Sequence, residues 1–240
     1  MKVLPEKKVT VVVPTYNEAA NIRELLREIM RVSENIAGYE LNILVVDDNS
    51  PDGTAELVRE LGMENVYLLE RERKEGLGRA YIDGFGYAIR ELGSDVVLEM
   101  DADFSHDPGD LPRFLAELGN GFDLVLGSRH IVGGSIPGWG VHRRLLSYTG
   151  NLLAREILGL QVSDCTSGYR AIKTSLLEEI NLEEINVKGY AFQLSLLHSA
   201  VAHGARIKEI PIVFHRRRAG ESKLGLGDIS EFLAELVKRK

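Results

Sequence analysis

The sequence predicts an α/β fold with a mostly parallel sheet flanked by helices. Three observations carry this. Short β-branched runs alternate with helical patterns, as in successive βαβ units. Polar clusters stand just past the ends of those runs. The 240 residues are 44% hydrophobic and 27% charged, enough for one large domain with an ordinary core.

The elements follow in order. Val9-Thr10-Val11-Val12-Val13 reads as a strand buried on both faces and stopped by Pro14. A helix is expected from about Ala19 to Ser33, with Ile22, Leu25, Leu26, Ile29 and Met30 on one face. Leu41–Val46 is the second strand, and Asp47-Asp48-Asn49-Ser50-Pro51-Asp52-Gly53-Thr54 is the turn that starts the next helix. The strand signal recurs at Val66–Leu69, Asp95–Met100 and Phe122–Leu126, with helical stretches near Gly78–Leu92 and Leu111–Leu118. After Arg129 comes a loop, Gly133–Gly140, and then a helix from about His142 to Leu158 that carries Arg143, Arg144 and Arg155 among leucines. A helix at Phe192–His203, a strand at Ile207–Phe214, a basic loop at His215–Lys223 and a terminal amphipathic helix complete the chain. With no Pro- or Ser-rich linker and no internal repeat, residues 1–240 read as one domain with a C-terminal extension.

Composition excludes several classes. A single cysteine, Cys165, rules out an internal disulfide framework and Cys-rich metal sites. Twenty-nine Lys and Arg against 36 Asp and Glu give a net charge of −7, unlike a whole-surface nucleic-acid binder. No apolar run approaches the roughly 20 residues that cross a bilayer. The N-terminal residues lack the apolar core of a signal peptide. The expectation is a soluble, intracellular, mildly acidic protein.

The chemistry is concentrated where strands end. In parallel α/β sheets ligands bind beyond the carboxyl ends of the strands. There lie Pro14-Thr15-Tyr16-Asn17-Glu18, Asp47-Asp48, Asp101-Ala102-Asp103 and Gly127-Ser128-Arg129. Asp101 and Asp103, one residue apart after a buried strand, can converge on a hard cation such as Mg²⁺ or Mn²⁺ bridging a diphosphate. Taken alone, a D-x-D triplet more often forms a turn or caps a helix. Its place at a predicted switch point, with Asp47-Asp48 on a neighbouring strand, favours the cation. His106, beside Asp107-Pro108, reads as a turn residue. Gly76-Leu77-Gly78-Arg79-Ala80-Tyr81 fails the dinucleotide pattern at Tyr81, and no phosphate-loop or nucleophile-elbow motif occurs. Cys165 reads as packing. Arg129, Arg143, Arg144, Arg216, Arg217, Arg218 and Lys223 offer forks and charges suited to phosphates. The helix at His142–Leu158 and the terminal helix could lie on a membrane or simply pack on the core.

Together these segments resemble family 2 glycosyltransferases with the GT-A fold, and within them the dolichol-phosphate (polyprenyl-phosphate) mannosyltransferases. The likeness covers nearly the whole chain. It runs through Val13–Glu18, Val46–Thr54, Asp101–His106, Gly127–Arg129, Gly138-Trp139 with Arg143 and Ser147, Asp164–Arg170, Lys188-Gly189-Tyr190 and Gly220–Gly225. The resemblance implies a donor half, residues 1–130, and an acceptor half, residues 131–240. Pro14, Tyr16, Glu18, Val46 and Asp48 would surround the base and ribose. Asp101, Ala102 and Asp103 would hold ribose, sugar and metal, with Asp101, Asp103 and Ser105 as the metal site; some relatives have Gln in place of Ser105. Arg217 and Lys223 would contact the diphosphate, with Arg129 at the sugar nucleotide as well. Arg129, Arg143 and Ser147 would receive the lipid phosphate, and Asn49, where relatives often have Gly, would take a left-handed turn.

The implied reaction moves mannose from GDP-mannose to dolichyl or polyprenyl phosphate with inversion, aided by Mg²⁺ or Mn²⁺. A phosphate acceptor is already anionic at pH 7 and needs no base. The same fold with UDP-glucose, or a non-catalytic binding module, are the alternatives. The acceptor implies work at the cytoplasmic face of a membrane. The chain's end at Lys240 suggests recruitment by a small membrane protein or a separated catalytic portion.

Overall fold

The computed structural model describes residues 7–185, 189–218 and 226–239. Lys188, Lys223 and the Gly220–Gly225 motif therefore lie outside the described residues. Four parallel strands open the sheet: β1 (Lys7–Thr15), β2 (Tyr39–Asp47), β3 (Val66–Glu70) and β4 (Val96–Glu99). β5 (Leu124–Ser128), β6 (Arg170–Lys173) and β7 (Ile207–Pro211) complete a seven-stranded sheet of order β3-β2-β1-β4-β6-β5-β7. The order reverses between β1 and β4, which creates the switch point where such sheets bind ligands.

One strand was not expected from the sequence. β6 is antiparallel to both β4 and β5, pairing Arg170 with Glu99 and with Leu126. It has four residues and begins on an arginine, so it shows neither an apolar run nor alternation. Its reversed direction brings the residues before it to the edge where β4 and β5 end. The expected last strand is also shorter, since Pro211 closes β7 and only Val213 continues, as a bridge to Ser135.

Helices α1 (Ile22–Ser33), α2 (Thr54–Leu61), α3 (Leu77–Arg90), α4 (Leu111–Gly119), α5 (Val141–Leu158), α6 (Thr174–Glu179), α7 (Gly189–Ala202) and α8 (Leu226–Lys238) flank the sheet. α1 starts at Ile22, the first residue of its apolar pattern, and later than the expected Ala19, because the Asn21 and Ile22 amides first turn back to bond the Glu18 carbonyl. α6, six residues long, was too short to read from periodicity.

Alternating strand residues feed two cores. Val9, Val11 and Val13 face Ile22, Leu25, Leu26 and Phe114, while Val12 faces Tyr81, Phe85 and Phe192 on the other side. α3 lies so close to the sheet that a Cβ on Gly84 would stand 2.6 Å from Val12 Cγ1 and 3.0 Å from Val46 Cγ2. Gly84→Ala is expected to lower stability by about 1–3 kcal/mol, an overpacking cost, measured as a shift in urea midpoint. An unchanged midpoint would mean that α3 can lift away freely.

α5 packs differently. Only Asn151 and Ala154 on it are buried, whereas Val141, Leu145, Leu146, Tyr148, Leu152, Leu153 and Ile157 are exposed. On α8, Phe232 and Leu236 are buried and Leu233 and Val237 exposed, so that helix is largely core packing with an open flank. Among the described residues, no helix is long and apolar enough to cross a membrane.

Candidate active site

The D-x-D carboxylates follow β4 directly. Asp103 is almost fully buried, and both its oxygens are engaged. Oδ1 accepts from the Ser105 amide at 2.9 Å and from the Ser105 hydroxyl at 2.6 Å, and Oδ2 pairs with Arg217 Nε at 2.8 Å. The Asp101 side chain is about one-third exposed, at 32%. Phe104, between Asp103 and Ser105, takes a left-handed φ of 63°, which is costly for a bulky residue and wraps the segment tightly.

His106 does more than make a turn. It is buried, and its Nδ1 accepts from the Asp101 amide at 3.1 Å. Its ring stacks on Tyr169 at 4.7 Å and meets Phe214 edge-on at 5.5 Å. Burial pushes its pKa down to about 4, so the ring is neutral at pH 7, with its proton on Nε2. The carboxylates and the Ser105 hydroxyl are the hard oxygen donors that Mg²⁺ and Mn²⁺ prefer.

A second cluster caps β1 and β2. Thr15 Oγ1 donates to Asp47 Oδ1 at 2.7 Å, and Asp47 also holds the Ser50 amide and hydroxyl. The turn after β1 is tied to this one, with the Asn17 amide on Ser50 and the Glu18 amide on Thr54, each at 3.0 Å. Asn49 has φ 57°, the left-handed turn expected of it. Pro14 and Val46 face each other in register. Tyr16 lies under Lys74 Nζ at 3.9 Å, and Glu18 accepts from Asn21 Nδ2 at 2.9 Å.

Asp48 is paired with Arg71, whose guanidinium also reaches Glu75 at 2.8 Å and Asp83 at 2.9 Å. Burial outweighs this arginine and raises the Asp48 carboxyl above its ordinary value. Arg71 and Lys74 were missed from the sequence. A basic residue immediately past the end of β3 was the available signal for Arg71.

The third cluster gathers around Trp139. Arg143 stacks on its ring at 3.9 Å and Arg129 approaches it at 5.9 Å, while Phe214 meets it edge-on at 5.7 Å. Arg129 is buried in a two-pronged pair with Asp164, Nε to Oδ2 at 2.6 Å and Nη2 to Oδ1 at 2.7 Å. The Arg129 amide adds a third bond to Asp164 at 3.0 Å. Burial alone would raise the Asp164 carboxyl; Arg129 holds it below the usual carboxylate range. Ser147 shares a 3.1 Å hydrogen bond with His130, another residue that strand-end reasoning did not single out. Arg144 instead donates to the Ile136 carbonyl at 3.0 Å.

Beneath these clusters lies a buried support. Arg170, fully enclosed, donates to the carbonyls of Ser167, Gln193 and Cys165 at 2.7–2.9 Å. Gln193 donates to Glu99 at 2.6 Å, and burial pushes the Glu99 carboxyl up to about 7. Asn151 of α5 accepts from the Cys165 amide at 2.7 Å, so α5 and Ser147 are fixed to the same segment. Burial raises the Cys165 thiol to about 12, which makes it inert packing, as expected. Beside the D-x-D segment, a cavity of about 600 Å³ is lined by Phe104, His106, Gly138, His215, Arg216 and Arg218.

The doubly wound sheet, with the D-x-D carboxylates beyond β4 at its switch point, has the GT-A arrangement. The same fold occurs in glucosyl-3-phosphoglycerate synthase from Mycobacterium tuberculosis, with a TM-score of 0.67 at 22% identity over 97% of this chain and 80% of that one. That structure contains Mn²⁺, uridine diphosphate and glucosyl-3-phosphoglycerate. The glycosyl transferase family 2 profile matches residues 10–181, and the chain belongs to that family. It is 39% identical over 239 residues to a polyprenol monophosphomannose synthase of Mycolicibacterium smegmatis, covering 98% of this chain and 88% of the relative. It is 41% identical over 233 residues to an undecaprenyl-phosphate mannosyltransferase of Micrococcus luteus, covering 96% and 93%.

Proposed function

We propose that the protein transfers mannose from GDP-mannose to a dolichyl or other polyprenyl phosphate, with inversion at the anomeric carbon. The observation that carries this is the approach of Arg129 and Arg143 to the Trp139 ring, in the same fold as a D-x-D pair at the switch point. Two near-full-length relatives named for polyprenyl-linked mannose support the sugar and the acceptor.

In this reading residues 1–130 hold the donor. Pro14, Tyr16, Glu18, Val46 and Asp48 enclose base and ribose, Asp101 and Ala102 line ribose and sugar, and Arg217 and Lys223 meet the diphosphate. Asp101, Asp103 and Ser105 hold Mg²⁺ or Mn²⁺, which when bound offsets charge on the departing diphosphate. Residues 131–240 serve the acceptor. Arg129 and Arg143 bind the lipid phosphate and cancel the repulsion between two anions, and Ser147 donates to it. Arg129 also reaches toward the donor sugar. A phosphate oxygen attacks the anomeric carbon, the bond to the diphosphate breaks and GDP leaves. The acceptor brings no proton that must be removed.

A donor panel tests the assignment: radiolabelled GDP-mannose and UDP-glucose, each with polyprenyl phosphate and Mn²⁺. Organic-phase label is expected from GDP-mannose alone. Equal or preferred transfer from UDP-glucose would sink it.

The acceptor stays in a bilayer, so the active site works at the cytoplasmic membrane surface, alone or with a small membrane partner. The exposed apolar residues of α5, beside Arg143 and Arg155, suit an anionic lipid surface. Wild type is expected to float with vesicles containing anionic lipid, and Leu145→Asp to weaken that binding about tenfold. Equal flotation of the two proteins would remove α5 from the membrane contact.

A further inference from the structure

Arg217 pairs with Asp103, a residue of the proposed metal site. Asp103 Oδ1 is committed to the Ser105 amide and hydroxyl, and Oδ2 to Arg217 Nε at 2.8 Å. The Ser105 hydroxyl gives its hydrogen to Asp103 and keeps lone pairs for another ligand. A cation arriving at Asp103 Oδ2 would meet the positive charge of this guanidinium at close range.

The loop that carries Arg217 is anchored on both sides of it. The His215 amide donates to the Ser105 carbonyl at 3.0 Å and the Arg218 amide to the Asp103 carbonyl at 3.2 Å. Arg218 stacks over Phe104 at 3.8 Å and pairs with Glu24 at 2.6 Å. The backbone is thus registered against the D-x-D segment. The Arg217 side chain is 27% exposed, so it borders solvent on one side.

We propose that Arg217 is the built-in counter-cation of the metal site, displaced from Asp103 by the divalent ion and thereby released to the donor diphosphate. The exchange replaces one positive charge on Asp103 by two, and the released guanidinium finds a new anion one side-chain length away. A buried carboxylate is therefore never left without a positive partner. Cation and sugar nucleotide then bind cooperatively, because each relieves a cost that the other would meet alone. The inference rests on the divalent-cation part of the proposed function.

Calorimetric titration of the full chain with Mn²⁺ alone, and with GDP at saturating Mn²⁺, separates the two roles. Arg217→Gln is expected to bind Mn²⁺ alone about tenfold more tightly, since it removes a positive charge that the entering cation would meet at Asp103. The same variant is expected to bind GDP about tenfold more weakly at saturating Mn²⁺, through loss of a charged diphosphate contact. Arg217→Lys keeps the charge and is expected to return Mn²⁺ affinity toward wild type. Unchanged or weaker Mn²⁺ binding by Arg217→Gln, while GDP with Mn²⁺ still binds wild type, overturns the exchange alone. No Mn²⁺ binding to any variant, with or without GDP, overturns both the exchange and the metal reading.

Discussion

Asp103→Ala is expected to lower the transfer rate by about a hundredfold to a thousandfold, the usual cost of removing one preorganised group that stabilises developing charge. The side chain organises three neighbours at once: the Ser105 amide, the Ser105 hydroxyl and Arg217. Its loss frees Ser105 from its defined orientation and leaves Arg217 without its carboxylate. Arg217 is partly exposed, so water can solvate it and the cost in stability stays near 1 kcal/mol. Rates from radiolabelled donor, read beside urea midpoints, check this. A variant that is both folded and fully active would take Asp103 out of the chemistry.

The second large effect is expected at Asp164. Asp164→Ala removes the carboxylate that pairs with the buried Arg129, and breaking such a buried ion pair costs about 3–5 kcal/mol. Arg129 would also lose three of the bonds that orient it, keeping the one from Nη2 to Thr166 Oγ1, so activity and stability should fall together. The pH dependence has a defined sign. Because the folded carboxyl lies below its ordinary value, the pair contributes stability above the unfolded pKa, about 4. That contribution is lost as pH falls through the lower folded pKa. Wild type should therefore lose stability steeply below about pH 4, and Asp164→Ala should lack that part of the slope. Denaturant midpoints across that range provide the check, and identical slopes would contradict the buried pair.

How much of this was legible beforehand depended on length and repetition. β1 and β2 announce themselves through Val9–Val13 and Leu41–Val46, because strands buried on both faces are continuous apolar runs. The D-x-D and Asp47-Asp48 stood out because polar residues broke those runs at the same end. β6 stayed hidden, since four residues beginning at Arg170 carry no periodicity and their pairing is fixed only by β4 and β5. The same reason concealed the roles of Asp164 and His106. Asp164 matters through a partner 35 residues away, and His106 through Tyr169 and Phe214. Arg71 joins Asp48 across 23 residues and two strands, a contact that tertiary packing alone creates. Strand ends thus point to a site, while the side chains that hold it in place come from elsewhere in the chain.

The central claim is that one phosphate oxygen of a polyprenyl phosphate displaces GDP from mannose. Its most direct measurement is the anomeric configuration of the lipid product made from GDP-α-mannose and polyprenyl phosphate, read by nuclear magnetic resonance. A single β-linked mannosyl phosphate is expected. An α-linked product, or mannose found only in water, would contradict it.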